Sequence, residues 1–168
     1  MLTYVDTVNQ HLNGRSFFMK LVKFFAIAIF ALPTLVMAGP TKDDVKMLVD
    51  NTIKYIETNG LEKAKTEIKN KDGQFIKGEL YVFIIDFDGK MISHGAKASL
   101  DGKNLIKLRT PEGKYFIQEM IKVSKESGEG WVEYKWTHPL TGKVTPKASL
   151  AKKIPGKDML VGAGLYLQ

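Results

Sequence analysis

A predicted β-hairpin over residues 130–147 constrains the fold of this chain more than any other feature. Aromatic and β-branched residues fill both arms of the segment, and Pro139 and Gly142 interrupt the pattern between them. Tyr134 and Trp136 lie two positions apart on the first arm, so both rings are expected on one face of a sheet. The segment therefore predicts two adjacent antiparallel strands with an aromatic pair on one face.

A long helix is expected near the start of the folded part. Thr41 followed by Asp44 is a capping-box-like start, placed directly after Pro40. Asn59 and Gly60 interrupt the helical pattern, and a second, shorter helix is expected after them. The residues that form one stripe at helical spacing are Val45, Leu48, Val49, Thr52, Ile53 and Ile56.

The remaining segments predict more strands and one more helix. Residues 80–85 are continuously apolar, which is typical of a central strand covered on both faces. Asp88 and Gly89 then form a strong hairpin-turn signal. After a loop over residues 95–109, Thr110 and Pro111 are predicted to cap and open a helix.

The order of these elements excludes an alternating parallel sheet. Two helices, two strands, a helix and three strands favour an α+β domain with a five-stranded antiparallel sheet. The long N-terminal helix is expected on one face, and the segment from 95 to 126 on the other. A concave space between the sheet and the covering segment is the expected ligand site.

Residues 1–38 are predicted to precede the folded domain, which is expected over residues 39–168. A basic stretch begins at Met19, an apolar run follows, and cleavage of a secretory signal is expected between Ala38 and Gly39. The true start is expected at Met19. The apolar run is shorter than the about 20 residues of a membrane span, and an uncleaved anchor is the competing interpretation. The expected location is periplasmic or secreted, with no stable membrane span in the mature protein.

Composition argues against several function classes. The net charge is +7, but the lysines are dispersed among acidic residues, so nucleic acid is not an expected partner. The chain has no cysteine, and therefore no disulfide framework. His94 and His138 lack the spacing of metal ligands, and no catalytic motif is found. We expect neither an enzyme nor a cofactor.

Several segments match one known family in their order and spacing. They are residues 81–89, the strand ending at His94, and residues 102–105, 113–116, 130–136, 146–147, 154–156 and 161–166. Together, over residues 41–167, they resemble the single Cache domain, an extracytoplasmic relative of the PAS fold that senses small molecules. Thr110 and Leu150 depart from the family, which usually carries an acidic residue and a tyrosine there.

The resemblance implies a PAS-like sheet and a ligand of the acetate, propionate, lactate or pyruvate class. The candidate ligand-binding residues are His94, Arg109, Tyr115, Tyr134, Trp136 and Lys147. Lys147, with Arg109, would neutralise the carboxylate. Each residue also has an ordinary alternative. A strand lysine between the polar Thr145 and Ser149 usually faces solvent. A histidine can form a hydrogen bond with the backbone, and aromatic rings can belong to the ordinary hydrophobic core.

The resemblance also implies signal transduction, as in chemotaxis, through a separate partner such as a membrane receptor or sensor kinase. Closing the loop over residues 95–109 would bury the ligand. The alternative is a structural or protein-interaction module whose pocket is filled by its own side chains.

Overall fold

A computed structural model describes residues 39–167. The predicted signal, its start at Met19 and Ala38 of the cleavage site lie outside these residues. The helices are α1 (Lys42–Asn59), α2 (Leu61–Lys69) and α3 (Phe116–Ser127), with a short 3-10 helix at Ala98–Leu100. The strands are β1 (Ile76–Lys77), β2 (Leu80–Asp86), β3 (Met91–His94), β4 (Glu129–Thr137), β5 (Val144–Lys153) and β6 (Met159–Tyr166).

Helix α1 begins where the capping box was predicted. The Thr41 hydroxyl accepts from the backbone N–H of Asp44, and the Asp44 carboxylate accepts in return from the Thr41 N–H at 2.8 Å. The predicted stripe is buried in full, which confirms the helical spacing. Gly60, at φ 85°, ends α1 and allows the chain to turn into α2.

All strand pairs in the sheet are antiparallel, as predicted. The order is β1-β2-β6-β5-β4, and β3 also pairs with β2. The sheet has one strand more than the expected five, the two-residue β1, which pairs with the start of β2. The predicted hairpin of residues 130–147 pairs Gly130 with Ala151 and Tyr134 with Lys147. Strands β2 and β6 are buried along most of their lengths, which agrees with the apolar run over residues 80–85.

The sheet separates two apolar cores because alternate side chains point to opposite faces. One core packs against α1 and α2 and contains Val82, Ile84 and Leu150. The other packs against α3 and the covering loop and contains Tyr81, Tyr134 and other residues of the opposite parity. Leu150 therefore faces α1, on the side of the sheet opposite α3 and the covering loop.

The predicted start of the third helix is wrong by several residues. Helix α3 begins at Phe116, not at the Thr110–Pro111 pair. The backbone N–H of Thr110 bonds the carbonyl of Lys114 at 3.0 Å, which closes a turn instead. Gly113, at φ 89°, lies within this turn, and a right-handed helix cannot pass through that conformation.

Candidate functional site

The central residue of the site is Lys147 on β5, whose side chain is 0% exposed. The β5 register places Lys147 opposite Tyr134 of β4 and Tyr166 of β6, on the face covered by α3 and the loop. Its neighbour of equal parity, Ser149, is also fully buried. The polar composition of this strand favoured a solvent-facing lysine, but the covering segment shields it from water.

The Lys147 amine lies against two tyrosine rings. Its Nζ is 3.8 Å from the centre of the Tyr81 ring and 4.7 Å from that of Tyr166. Among residues 39–167 it has no hydrogen-bond partner. Burial lowers the pKa of Lys147 well below its ordinary value, and the negative charge of Glu79 opposes this only in part.

The tyrosine rings do not offset the burial of a charged amine. A desolvated cation–π contact contributes about 2 kcal/mol, whereas taking an ammonium ion out of water costs several kcal/mol even after relaxation. A buried polar group without a partner also requires a particular explanation, such as a ligand. The site therefore contains an unsatisfied donor that an anion would complete.

Two tyrosine hydroxyls beside Lys147 form a short chain. The Tyr81 and Tyr166 hydroxyl oxygens are 3.2 Å apart, and Tyr166 donates to the Thr137 carbonyl at 2.8 Å. Tyr81 therefore donates to Tyr166. Burial raises the pKa of Tyr81 and raises that of Tyr166 to about 12, so both stay protonated at neutral pH.

Tyr81 and Tyr166 are the site residues that sequence reasoning missed. Tyr81 lies within the continuously apolar run over residues 80–85, and Tyr166 lies near the end of the last strand without a polar motif beside it. The signal that could have identified them is chemical, because a buried tyrosine hydroxyl needs a polar hydrogen-bond partner.

His94, at the end of β3, is 3% exposed and is held by the backbone. Its Nδ1 accepts from the Lys97 N–H at 3.0 Å, which leaves Nε2 to carry the ring proton. The ring centre lies 4.9 Å from that of Tyr81 and 6.2 Å from that of Trp136. Burial, with the nearby Lys147, lowers the pKa of His94 to about 3, so the ring is a neutral donor.

Tyr134 and Trp136 share one face of β4, as predicted. Both contact Phe116 of α3, with ring centres 4.4 Å and 5.7 Å away. The Tyr134 hydroxyl bonds the Ser149 hydroxyl at 3.0 Å, and burial raises the pKa of Tyr134. These rings form an apolar wall beside the amine and the histidine.

Two openings flank this cluster. A pocket of about 480 Å³ lies between the sheet and the covering loop; among its lining residues are Tyr81, His94, Trp136, Leu100, Leu105 and Leu108. A second opening, of about 270 Å³, borders Lys147 and Tyr134 beside the turn that contains Thr110. Between α3 and the sheet, only about 10 Å³ remains, because side chains fill that space. The predicted concave space therefore lies under the loop.

Arg109 and Tyr115 are the two candidates that the structure does not bring to this cluster. Both side chains are exposed, Tyr115 to 39%, and neither borders the two openings. His138 also lines the larger pocket, and its Nε2 lies 3.1 Å from a Glu79 carboxylate oxygen. Over residues 39–167, no three acidic or histidine side chains are grouped as metal ligands would be, and no helix is long and apolar enough to cross a membrane.

Acid sensitivity is expected from His94. A histidine held neutral to about pH 3 cannot bind the proton that the unfolded chain takes up near pH 6.5. The unfolded state is therefore favoured as the pH falls from about 6.5 towards 3, by up to about 1.4 kcal/mol for each pH unit. In His94→Asn, the amide oxygen can accept from Lys97 but the residue cannot titrate.

We expect the free energy of unfolding of His94→Asn, measured by urea titration from pH 7 to 4, to fall less steeply than that of the wild type. His138→Asn is the matched control, because His138 is only partly buried. Equal slopes for the wild type and His94→Asn would contradict a neutral, buried His94.

Comparison with known proteins agrees with this architecture. The Cache domain model dCache_2 matches residues 62–168. The sensor histidine kinase MctS of Rhizobium johnstonii is 36% identical over 87 residues, which cover 52% of this chain and 19% of the kinase. The chain therefore matches about a fifth of the length of that relative.

Two solved structures share the fold. A methyl-accepting chemotaxis protein from Vibrio parahaemolyticus has a TM-score of 0.66 and 25% identity, covering 74% of this chain and 87% of that one. A structure described as the basis for carboxylic acid recognition by a Cache chemosensory domain has a TM-score of 0.60 and 22% identity, covering 73% and 86%. The family match spans more than half of the residues and coincides with the sheet, α3 and the buried site. This chain therefore belongs to the Cache domain family, the sensor domains of chemotaxis receptors and histidine kinases.

Proposed function

We propose that this domain binds a short carboxylic acid of the acetate, propionate, lactate or pyruvate class outside the cytoplasm and signals its presence to a separate protein. The observation that carries the proposal is the fully buried Lys147 Nζ, which has no hydrogen-bond partner among residues 39–167. A carboxylate would supply both the missing hydrogen bond and the compensating charge.

The surroundings of the amine suit a small acid. The Nε2–H of His94 is available to donate to a carboxylate or hydroxyl oxygen. Tyr134 and Trp136 offer apolar faces for a short carbon chain. Carboxylic acid recognition is also described for a domain of the same fold, which makes these acids the first ligands to test.

In this structure Lys147 does not border the larger pocket, so a ligand in that pocket can contact the amine only after a side chain moves. Lys147 borders the smaller opening, whereas the ring of Tyr81 borders the larger pocket and contacts the amine. A rotation of Tyr81 or of the lysine would join them. Ligand binding favours the joined arrangement only to the extent that the ligand binds it more tightly.

The signalling partner is proposed to be a membrane receptor or a sensor kinase, since proteins of these classes carry the related domains. We propose a periplasmic or secreted location, with a signal removed between Ala38 and Gly39. Recognition, not turnover, is the proposed role.

A module with a self-filled pocket is the second candidate. The space of about 10 Å³ between α3 and the sheet favours it, because that region holds one water molecule at most. The pocket of about 480 Å³ under the loop favours a binder. A ligand titration separates these two functions.

We expect at least one of acetate, propionate, lactate and pyruvate to raise the melting temperature of the protein. A ligand at 100 times its Kd adds about 2.7 kcal/mol of stability. Acetamide and propionamide are matched controls, because they have similar shapes but no charge to compensate the amine. Melting temperatures unaffected by all four acids up to 10 mM (a concentration on the order of 100 times a Kd of 0.1 mM) would favour the self-filled module.

A further inference from the structure

We infer that Lys147 is a neutral amine when the site is empty, and that each carboxylate binds together with one proton. This inference rests on the proposed function, and it adds the proton as a second ligand of the same site. The domain would then respond to the combination of an acid and the pH, not to the concentration of the anion alone.

The packing around Nζ carries the inference. The amine is completely buried, and no carboxylate among residues 39–167 forms an ion pair with it. Glu79 is the acidic side chain whose charge acts on it, and that carboxylate is already 3.1 Å from His138 Nε2. A completely buried amine with neither an ion-pair partner nor a hydrogen-bond partner in the protein is more stable without its proton.

The elements packed around the amine carry other titratable groups, but none compensates its charge. Some of these groups face the Lys147 amine, and others face the opening that Lys147 borders. They are Tyr81 on β2, His94 on β3, Glu133, Tyr134 and Lys135 on β4, Tyr166 on β6, Glu79 before β2, and Glu112 and Lys114 in the turn before α3. Glu112 pairs with Lys135, and Lys114 lies 3.0 Å from Glu119. Glu133 is exposed to solvent, so water stabilises its charge without the help of Lys147.

The tyrosines do not supply a proton acceptor either. Burial raises the pKa values of Tyr81 and Tyr134, and that of Tyr166 lies at about 12, so all three hydroxyls are neutral at pH 7. His94 is neutral as well, with a pKa of about 3. The first anion to reach Nζ is therefore the ligand itself, and its charge raises the proton affinity of the amine.

The coupling between carboxylate binding and proton binding predicts the direction in which the affinity changes with pH. Between the pKa of Lys147 in the empty site and its higher pKa in the complex, binding takes up one proton. The apparent affinity therefore falls by about tenfold for each unit of rising pH in that window. A site with a permanently charged lysine would show no such dependence.

Titration calorimetry of the protein with acetate, propionate, lactate and pyruvate tests the coupling. At pH 7.5, the binding enthalpy is measured in buffers with different ionisation enthalpies, and its slope gives the number of protons taken up. We expect a slope near one proton for each acid that binds. Lys147→Arg keeps a permanent charge, so acid bound by this variant should be taken up without a proton.

The outcomes separate this inference from the proposed function. An acid that binds the wild type with no proton uptake, and with an affinity independent of pH, overturns the inference and leaves carboxylate binding intact. The proposed function fails separately if no acid binds.

A second measurement tests the empty site without any ligand. Protein with 13C at the lysine Cε is titrated by NMR, and the Lys147 signal is assigned by its loss in Lys147→Met. We expect the Lys147 signal to have the chemical shift of a neutral amine at pH 7.5. A Lys147 signal that titrates together with the exposed lysines overturns the inference, whatever the ligand experiments show.

Discussion

Replacing Lys147 with Met is expected to stabilise the empty protein and to abolish its response to carboxylic acids. Methionine has a similar length and no polar end, so it fills the space between Tyr81 and Tyr166 without an unsatisfied donor. A buried donor left without a partner costs about 1–3 kcal/mol, and the methionine variant removes that cost. The stabilisation by a saturating acid, about 2.7 kcal/mol at 100 times Kd, should disappear.

The difference in the free energy of unfolding between Lys147→Met and the wild type should depend on pH. The direction of this dependence identifies the buried amine as its cause. Burial lowers the pKa of Lys147 in the folded protein below its ordinary value of 10.5. Between these two values the unfolded chain binds a proton that the folded protein does not, so wild-type stability rises with pH. The advantage of Lys147→Met over the wild type should therefore be largest near neutral pH and should shrink as the pH approaches 10.

Lys152→Met is the matched control on the same strand. Lys152 is partly exposed, and its Nζ lies 2.9 Å from an Asp50 oxygen and 2.8 Å from a Glu129 oxygen. Its removal should not stabilise the protein, and the response to acid should remain. Urea unfolding and acid-dependent melting of both variants provide the comparison. A Lys147→Met protein that still melts at a higher temperature with acid would remove Lys147 from the site.

Gly164→Ala is expected to destabilise the sheet strongly, because the added methyl group has no space between two strands. Gly164 lies on β6 directly opposite Ser149 of β5. A Cβ atom at position 164 would lie 2.2 Å from Ser149 Oγ, 2.4 Å from the Ala148 carbonyl oxygen and 2.7 Å from Ser149 Cα. Two of these atoms belong to the backbone, so the strands themselves must separate.

We expect this change to cost about 3 kcal/mol or more, the upper range for overpacking in a core. It would also disturb the bond between Ser149 and Tyr134, which lines the site. Unfolding in urea, followed by tryptophan fluorescence and circular dichroism, measures the loss.

Gly130→Ala makes the same change elsewhere in the sheet. The three atoms nearest to its added Cβ all belong to the side chain of Val123 on α3, and the nearest of them, Val123 Cβ, would lie 2.9 Å away. Relieving this contact needs a small movement of α3 relative to the sheet, not the separation of two hydrogen-bonded strands, so the loss should be smaller. Equal unfolding midpoints for Gly164→Ala and the wild type would show that β5 and β6 are not packed as closely as described.

Several parts of the fold could be predicted because local signals and tertiary packing agree. The Thr41 cap, the buried stripe of α1 and the apolar strand over residues 80–85 each depend on short-range chemistry or on a regular period. The start of α3 was predicted wrongly because Thr110 and Pro111 resemble a helix start. The turn closed by Lys114 and the positive φ of Gly113 delay that helix to Phe116.

The site was predictable only in part, for a related reason. The shared face of Tyr134 and Trp136 follows from the period of a strand, and the structure agrees. Arg109 was selected for its chemistry alone, and the structure leaves it exposed. Tyr81 was overlooked because its hydroxyl gains meaning only from Tyr166, which is 85 residues away along the chain.

Sequence alone determined most of the helices and strands, the antiparallel pairing of the hairpin and the family, because these depend on spacing, turn chemistry and the order of segments. It left the environment of Lys147 open, since its strand neighbours predicted exposure to water. Only the tertiary structure decided that environment, by placing the rings of Tyr81 and Tyr166 around the amine and shielding it from solvent. The α1 stripe and residues 80–85 have local patterns that predict burial, whereas Lys147 is buried by segments distant along the chain, which no pattern on its own strand indicates.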